Sequence, residues 1–131
     1  MDDSRTVEEL TLDIQKPASW GGRKVRGLRP RGDHKTLFTA VNRGEFTING
    51  LRNRNLQALL YETEPDSPAE RRRRSSATSR KLRLLRAHGI IRKIARTHRY
   101  QVTDTGRAIL LAVLTTARTS DHQLNQLQKV A

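Results

Sequence analysis

The sequence predicts a mainly α-helical chain with one small β-hairpin, an α+β fold, and three observations support this class. Residues 68–88 combine a helical period with clear signals for a helix start and stop. Directly afterwards, Tyr100 and Val102 alternate with Arg99 and Gln101, which is the period of a strand. Shorter segments before and after this region repeat leucine and isoleucine at helical spacing. These helices and the hairpin are enough for a small, closed core.

Length and composition allow one small domain with tails. The chain has 131 residues, of which 34% are hydrophobic and 30% are charged, so the core is modest. There is no cysteine, which excludes disulfides and thiolate zinc sites. Aromatic residues make up 4%, which argues against a base-stacking surface for RNA or single strands. No apolar run could cross a membrane, and we expect a cytoplasmic, nucleoid-associated protein.

The charge distribution indicates a polyanionic partner. The formal net charge is +13. Residues 1–66 hold 11 Lys and Arg against 10 Asp and Glu, a net +1, whereas residues 67–131 hold 15 against 3, a net +12. Of the 26 basic residues 20 are Arg, whose planar fork suits phosphate and guanine. The positive field therefore belongs to the half that carries the long helix and the hairpin.

The first region, residues 1–32, is predicted to be a short helix followed by a basic arm rich in Gly and Pro. Thr6 and Glu9 form a capping box, and Pro17 stops the helix. The arm surrounds Trp20 and is expected to be extended chain or loop. Two interpretations stay open: the arm follows the DNA backbone or enters a minor groove, or it is a linker whose Trp20 packs on the domain.

The middle of the chain begins with two short helices and a strand. A helix over about 33–43 is capped by Asp33, a strand covers 46–48, and a helix over about 54–61 is capped by Asn53. We expect these elements to share one core with the long helix and the hairpin. Its predicted members are Leu37, Val41, Leu56, Leu60, Leu82, Leu85, Ile91, Tyr100 and Val102.

The long helix over about 68–88 has well-marked ends and two different faces. Ser67 and Glu70 form a capping box, and Gly89 stands where a left-handed cap is expected. At about 100° per residue, Thr78 shares one arc with apolar residues that pack on the body. The opposite arc is cationic with short hydroxyls, which suits a DNA major groove. Its predicted DNA-binding members are Arg72, Arg73, Ser76, Ser79, Arg80 and Arg83.

The four consecutive arginines of this helix cannot all point one way, because successive helical residues spread around the axis. We expect Arg72 and Arg73 to face DNA. Arg71 and Arg74 are expected to turn toward the body, near the acidic residues of 62–66.

A hairpin and two helices complete the chain. The hairpin, 90–102, is predicted to be a wing that contacts the DNA backbone or a minor groove. Its predicted contact residues are Arg92, Arg96, His98 and Arg99. Thr103 or Asp104 caps the next helix, and one more capping-box pattern predicts a short helix within 120–131. This order, over 33–119, is that of a winged helix-turn-helix: a three-helix core plus wing and C-terminal helices.

Three motifs strengthen this expectation: Ser79-Arg80-Lys81-Leu82, then Leu85-Arg86-Ala87-His88-Gly89-Ile90-Ile91-Arg92, then Tyr100-Gln101-Val102-Thr103-Asp104-Thr105-Gly106-Arg107. Over 76–110 the chain resembles winged-helix regulators of the multiple-antibiotic-resistance (MarR-like) type. The resemblance implies a recognition helix in the major groove, a wing at 96–99, and a homodimer formed by terminal helices. The pattern RGEFTINGLRNRNLQALL…RRRRSSATSRKLRLLRAHG also looks like the C-terminal part of longer uncharacterised bacterial proteins.

The sequence thus predicts a double-stranded DNA-binding protein, and among such proteins it favours a transcriptional regulator. The alternatives are the DNA-binding module of a mobile-element or replication protein, an RNA-binding winged helix, for which RNA is the less expected partner, and a protein-interaction winged helix. No catalytic constellation is evident. The four histidines match no metal-ligand spacing, and carboxylates are too few in the basic half for two-metal chemistry. We expect no enzyme activity, no cofactor and no metal.

Overall fold

The structure is a computed structural model that describes residues 6–30 and 32–115, without the side chains of residues 7, 47 and 48. Its elements are α1 (Val7–Asp13), β1 (Ala18–Trp20), β2 (Arg23–Val25), α2 (Lys35–Val41), α3 (Glu45–Asn49), α4 (Asn53–Leu60), α5 (Pro68–Ala87), β3 (Ile91–Lys93) and β4 (Tyr100–Val102). A further helix runs from 104 and is described as far as 115. Two small antiparallel hairpins, β1–β2 and β3–β4, accompany these helices. The α+β class is confirmed, and the helix predicted within 120–131 lies outside the described residues.

The predicted helix ends are confirmed where a hydroxyl cap was expected. Thr6 Oγ1 accepts from the Glu9 backbone N–H at the start of α1. Ser67 Oγ accepts from the Glu70 N–H at 3.1 Å at the start of α5. Gly89 follows α5 with φ +76°, the left-handed conformation that a C-terminal cap requires. At the start of the 104–115 helix, the side chain of Thr103 serves as the cap by accepting from the Gly106 N–H at 2.9 Å.

The predicted cap of the helix near residue 33 is wrong. The helix α2 begins at Lys35, and the residue before it, His34, has φ −105° and ψ 10°. A turn in which the Gly32 and His34 N–H groups donate to Arg29 O leads into α2. Asp33 therefore lies inside a turn, and the N-cap position belongs to His34, whose side chain forms no capping hydrogen bond.

The strand predicted over 46–48 is also wrong, because these residues lie in the short helix α3. Phe46 is buried there, and Gly50, with φ +77°, redirects the chain. The chain pairs with a strand only after Gly50. There Leu51 and Tyr100 form an isolated β-bridge, in which each backbone N–H donates to the carbonyl of the other, with N to O distances of 2.7 and 2.8 Å. One helical turn and a glycine thus replace the expected strand, and the bridge fixes the hairpin β3–β4 to the core.

The segment predicted as loop, 17–32, contains the hairpin β1–β2. Gly21 and Gly22, with φ +60° and +78°, form the two-residue turn that joins the strands, a conformation that favours glycine. The sequence interpretation did not recognise this pair as a hairpin turn. Val25 is half-buried against the core, while Trp20 is 39% exposed.

The core lies between α2, α4, α5, the hairpin β3–β4 and the 104–115 helix. Most predicted members are buried, but Leu60, Tyr100 and Val102 only pack on its edge. The core also takes in Ile14 and Leu28, which belong to the N-terminal region. Its buried hydrophobic residues are Ile14, Leu28, Leu37, Phe38, Ala40, Val41, Phe46, Leu51, Leu56, Leu82, Leu84, Leu85, Ile90, Ile91, Ile109, Leu110 and Val113.

A glycine sets the contact between the 104–115 helix and the hairpin β3–β4. A Cβ on Gly106 would lie 2.1 Å from Ile90 O and 2.8 Å from Ile90 C. Because these are backbone atoms, no side-chain movement would relieve the overlap. Only glycine lets the 104–115 helix approach the start of β3 this closely.

Candidate nucleic-acid interface

The helix α5 has the two faces that its sequence predicts. Thr78, Leu82, Leu84 and Leu85 are buried. The six residues of the opposite arc are all exposed, and we call them the basic face: Arg72, Arg73, Ser76, Ser79, Arg80 and Arg83. With 20 residues, α5 is about 30 Å long, which is long enough to present this face to a groove of duplex DNA.

The orientations of the four arginines at the start of α5 differ in part from the expected ones. Arg74 turns inward as predicted: its guanidinium lies 4.6 Å from the centroid of the Tyr61 ring and donates to Thr63 O at 2.6 Å. Its acidic partner is Glu70, at 3.2 Å from Nε, rather than a carboxylate of 62–66. Arg71 is exposed, so its predicted inward orientation is wrong.

One member of the basic face carries a compensated charge. Arg73 forms an ion pair with Glu70, one turn earlier on the same helix. Glu70 thereby holds both Arg73 and Arg74. Because the Arg73 side chain is 72% exposed, this pair is weak, but it makes Arg73 a poorer contact than its neighbours. Among the described residues, Arg72, Arg80 and Arg83 form no ion pair, so the uncompensated positive charge of the face lies there.

A side-chain amide connects α4 to α5. Asn53, predicted as a helix cap, is instead the first residue of α4, and its Nδ2 donates to Ser75 O at 3.1 Å and to Ser79 Oγ at 2.9 Å. The backbone N–H of Arg52 donates to Asn55 Oδ1 at 2.9 Å. The start of α4 is therefore held directly beside the basic face, and Ser79 is oriented by the contact.

The hairpin β3–β4 carries its predicted contact residues on β3 and in the turn between its strands. Its strands pair Ile91 with Val102 and Lys93 with Tyr100. Within the turn Arg96 has φ +63°, and Thr97 Oγ1 donates to Ile94 O at 2.8 Å and accepts from the Arg99 N–H at 3.1 Å. The predicted contact residues Arg92, Arg96, His98 and Arg99 are all exposed. Arg92 also donates to Gln101 Oε1 at 2.9 Å on the neighbouring strand.

Two adjoining clefts lie between the hairpin β3–β4 and the start of α4, and one of them reaches α5. That one is lined by Arg52, Arg54 and Ser79 with His98 of the hairpin. The other again involves Arg52 and Arg54, now with Arg99. Glu45 also lines this second cleft, but its carboxylate is 2.6 Å from Arg43 Nε. The structure thus brings Ser79, His98 and Arg99 to one place.

Arg52 and Arg54 were missed by the sequence analysis. The signal that could have identified them is their position: they flank the first residue of the helix that precedes the basic helix. In that place their side chains line the same cleft as Ser79 of the basic face. The analysis considered this segment only for its cap.

A second groove lies on the other side of α5, against the hairpin β1–β2. Its lining contains the predicted residues Arg80 and Arg83, together with Arg26 and Lys81, which the sequence analysis did not select. At about 100° per residue, Ser79 and Lys81 point in nearly opposite directions. The basic face is therefore bordered by the wing clefts on one side and by this groove on the other.

His34 is buried among these elements and shows a shifted pKa. Only 2% of its surface is exposed, and its Nδ1 accepts from the Arg29 N–H at 2.8 Å. Burial is the main cause that lowers the pKa of His34 below its usual value of 6.5, and Arg26, Lys81 and Arg29 lower it further, while Asp33 acts in the opposite direction. His34 is therefore neutral at pH 7, with a structural role.

The described part of the chain gives no other candidate centre of chemistry. Among residues 6–30 and 32–115, no group of three or more His, Asp or Glu side chains could hold a metal ion. Within the same ranges no helix has the length and apolar character needed to cross a membrane.

An apolar depression between α1 and the 104–115 helix includes Leu12 and Leu111, which are 60% and 62% exposed.

Comparisons with known proteins add no relative. No family model matches the chain, no curated protein matches it, and no solved structure matches it.

Proposed function

We propose that the protein binds double-stranded DNA through a winged helix-turn-helix and acts as a transcriptional regulator in the cytoplasm, associated with the nucleoid. In this proposal α2, α4 and α5 are the three helices, Leu51 supplies the short strand, and β3–β4 is the wing. The element order and the Leu51–Tyr100 bridge support the assignment, as does the resemblance of residues 76–110 to MarR-like regulators.

The observation that carries the proposal is the basic face of α5 with cations on both borders. The exposed arc of α5 contains no carboxylate, and the wing adds the cations Arg96 and Arg99, with the imidazole of His98 as a further hydrogen-bonding group. A surface with three free arginines and two serines offers bidentate donors for guanine and hydroxyl donors for phosphate. In the proposed complex, Ser76, Arg80 and Arg83 contact base edges, while Arg72, Arg92, Arg96 and Arg99 contact phosphates or the minor groove.

The cleft between α4 and the wing extends the same surface. Arg52, Arg54 and Arg99 surround it, and we assign them to the phosphates that border the major groove. These contacts are independent of sequence, so they set affinity and orientation rather than the choice of site.

The proposal is tested with a labelled random-sequence duplex and fluorescence anisotropy. A double variant, Arg80→Ala with Arg83→Ala, should weaken binding at least tenfold, because two charges leave the middle of the face. Lys16→Ala is the control: its side chain is 75% exposed, pairs with Asp13 at 3.8 Å and lines neither the wing clefts nor the groove beside β1–β2. Equal losses in the control and the double variant would contradict the proposal.

A regulator must also prefer one sequence. Selection from a randomised duplex pool should give a site bound at least about a thousandfold more tightly than random DNA. A palindromic site would support the homodimer that the resemblance implies, and sedimentation of the free protein would measure its association directly. Strong binding without any preferred site would favour a structural DNA-binding role over regulation.

A further inference from the structure

The hairpin β1–β2 is attached to α5 in a defined position. His88 Nε2, at the end of α5, donates to Arg26 O at 2.9 Å. The guanidinium of Arg86 lies 5.0 Å from the centroid of the Trp20 ring. The chain that follows the hairpin is anchored by the Leu28 N–H, which donates to Ile14 O at 2.6 Å. The hairpin is therefore held against the helix by contacts at both ends.

The groove between this hairpin and α5 has an apolar floor and cationic walls. Val25, Ala77 and Leu84 form the apolar part. The walls carry four cations, and none of the described Asp or Glu residues lines the groove. These groove cations are Arg26, Arg80, Lys81 and Arg83.

The groove cations lack acidic partners in the described part of the chain. The ion pairs there that involve Arg or Lys are made by other residues. Residues 14–44, which include the hairpin, contain eight Lys and Arg but one acidic residue, Asp33. Four like charges around one groove repel each other, and a polyanion in the groove would remove that repulsion.

We propose that the hairpin side of this groove, with Arg26 and Lys81, binds the phosphodiester backbone of duplex DNA whose bases face Arg80 and Arg83, so that the hairpin β1–β2 acts as a second wing. This inference rests on the proposed function. Two of the groove cations, Arg80 and Arg83, also belong to the basic face. DNA that lies on this face must therefore pass the groove, and its flanking strand meets Arg26. The wing β3–β4 contacts the other side of the same helix, so the protein holds the DNA from both borders of α5.

The first test removes hairpin charges without touching α5. Arg26→Ala and the triple variant Arg23→Ala, Lys24→Ala, Arg26→Ala change exposed side chains and keep the Arg26 carbonyl that binds His88. Affinity for a labelled random-sequence duplex is measured over a series of salt concentrations. Each lost phosphate contact should reduce the slope of log affinity against log salt by about 0.9. Arg26→Ala should lose about one contact and the triple variant two or three, while Lys16→Ala keeps the slope.

A second readout comes from the hairpin itself. Trp20 is the only tryptophan of the chain, and it lies in β1. DNA that binds beside the hairpin should change its emission, with the same midpoint as the anisotropy titration. In the triple variant, the change in Trp20 emission at a given DNA concentration should be smaller, because the affinity for DNA is lower. Far-UV circular dichroism of each variant verifies that the fold is kept.

The outcomes separate this inference from the proposed function. If the wild type does not bind duplex DNA, the proposed function fails and this inference fails with it. If the wild type binds, and Arg80→Ala with Arg83→Ala weakens it, the proposed function stands. In that case, unchanged salt slopes in the hairpin variants together with constant Trp20 emission would overturn the second wing alone. Tighter binding of poly-glutamate than of duplex at equal salt would also overturn it.

Discussion

The two hairpins border the same helix and carry the same sign of charge, but they are joined to the protein in different ways. The hairpin β3–β4 is part of the core: Ile91 is 2% exposed, and Tyr100 exchanges two hydrogen bonds with Leu51. The hairpin β1–β2 is packed on the outside, with Val25 half-buried and Trp20 39% exposed. We therefore expect the first hairpin to contribute more to folding stability than the second.

The largest expected effect tests this difference in stability. Ile91→Ala removes a fully buried side chain from β3 and should cost about 2–5 kcal/mol of unfolding free energy. Val25→Ala on β2 removes less buried surface and should cost about 1 kcal/mol. Urea denaturation of both variants measures the two values. Equal losses would mean that both hairpins belong to the core.

The next effect concerns the helix between the hairpins. Arg80→Ala should reduce binding to a selected DNA site by about 1–3 kcal/mol if Arg80 pairs bidentately with a base. Arg72→Ala should weaken all sequences alike, because its proposed contact is a phosphate. Parallel titrations of selected and random duplexes measure the difference. An Arg80 variant with an unchanged preference would exclude its role in base recognition, and Arg80→Lys shows whether charge alone suffices.

A smaller effect is expected at Arg86, which lies near one aromatic ring of each hairpin. The guanidinium of Arg86 lies 5.0 Å from the Trp20 ring and 5.8 Å from the Tyr100 ring. Arg86→Leu should lower the unfolding free energy by about 0.5–1 kcal/mol, since a cation–π contact at a partly exposed site is worth that much. Trp20 emission should shift in the folded variant. Arg86→Lys, which keeps the charge, should retain part of both signals.

The smallest expected effect concerns the buried His34 and appears below neutral pH. Because the pKa of His34 is lowered in the folded state, folding favours the neutral imidazole. Its contribution is complete above the ordinary pKa of 6.5 and is lost as pH falls below that value. Protonation of Nδ1 would also break its bond from the Arg29 N–H.

His34→Asn is the matched variant for this pH effect. Its amide oxygen can accept from Arg29 but does not titrate. Denaturation between pH 7 and pH 5 should show a decrease in stability for the wild type that is smaller in the variant. The same decrease in both proteins would assign the pH dependence to other groups.

The elements that the sequence predicts well are those with local causes. The capping hydroxyls of Thr6, Ser67 and Thr103 each act within a few residues, so their patterns identify helix starts. The two faces of α5 follow from its period alone. These features account for the α+β class and for exposure of the basic face, on which the proposed function depends.

The errors lie where distant contacts decide the local conformation. Residues 46–48 are of types that favour a strand, but Phe46 is buried against the core and its segment forms a helical turn. Asn53 is a good cap by type, but its amide is drawn to Ser75 and Ser79 across the packed helices. The groove that contains Arg26 depends on how a hairpin packs on α5. Sequence spacing gives no measure of such contacts between residues far apart in the chain.

The central claim, that the basic face binds duplex DNA, is tested most directly by comparing duplex DNA with structured RNA over several salt concentrations. If five or six phosphates are neutralised, log affinity for the duplex should fall against log salt with a slope of roughly −5, and RNA should bind no better at any salt concentration. Tighter binding of structured RNA, or a slope near zero for both nucleic acids, would contradict the claim.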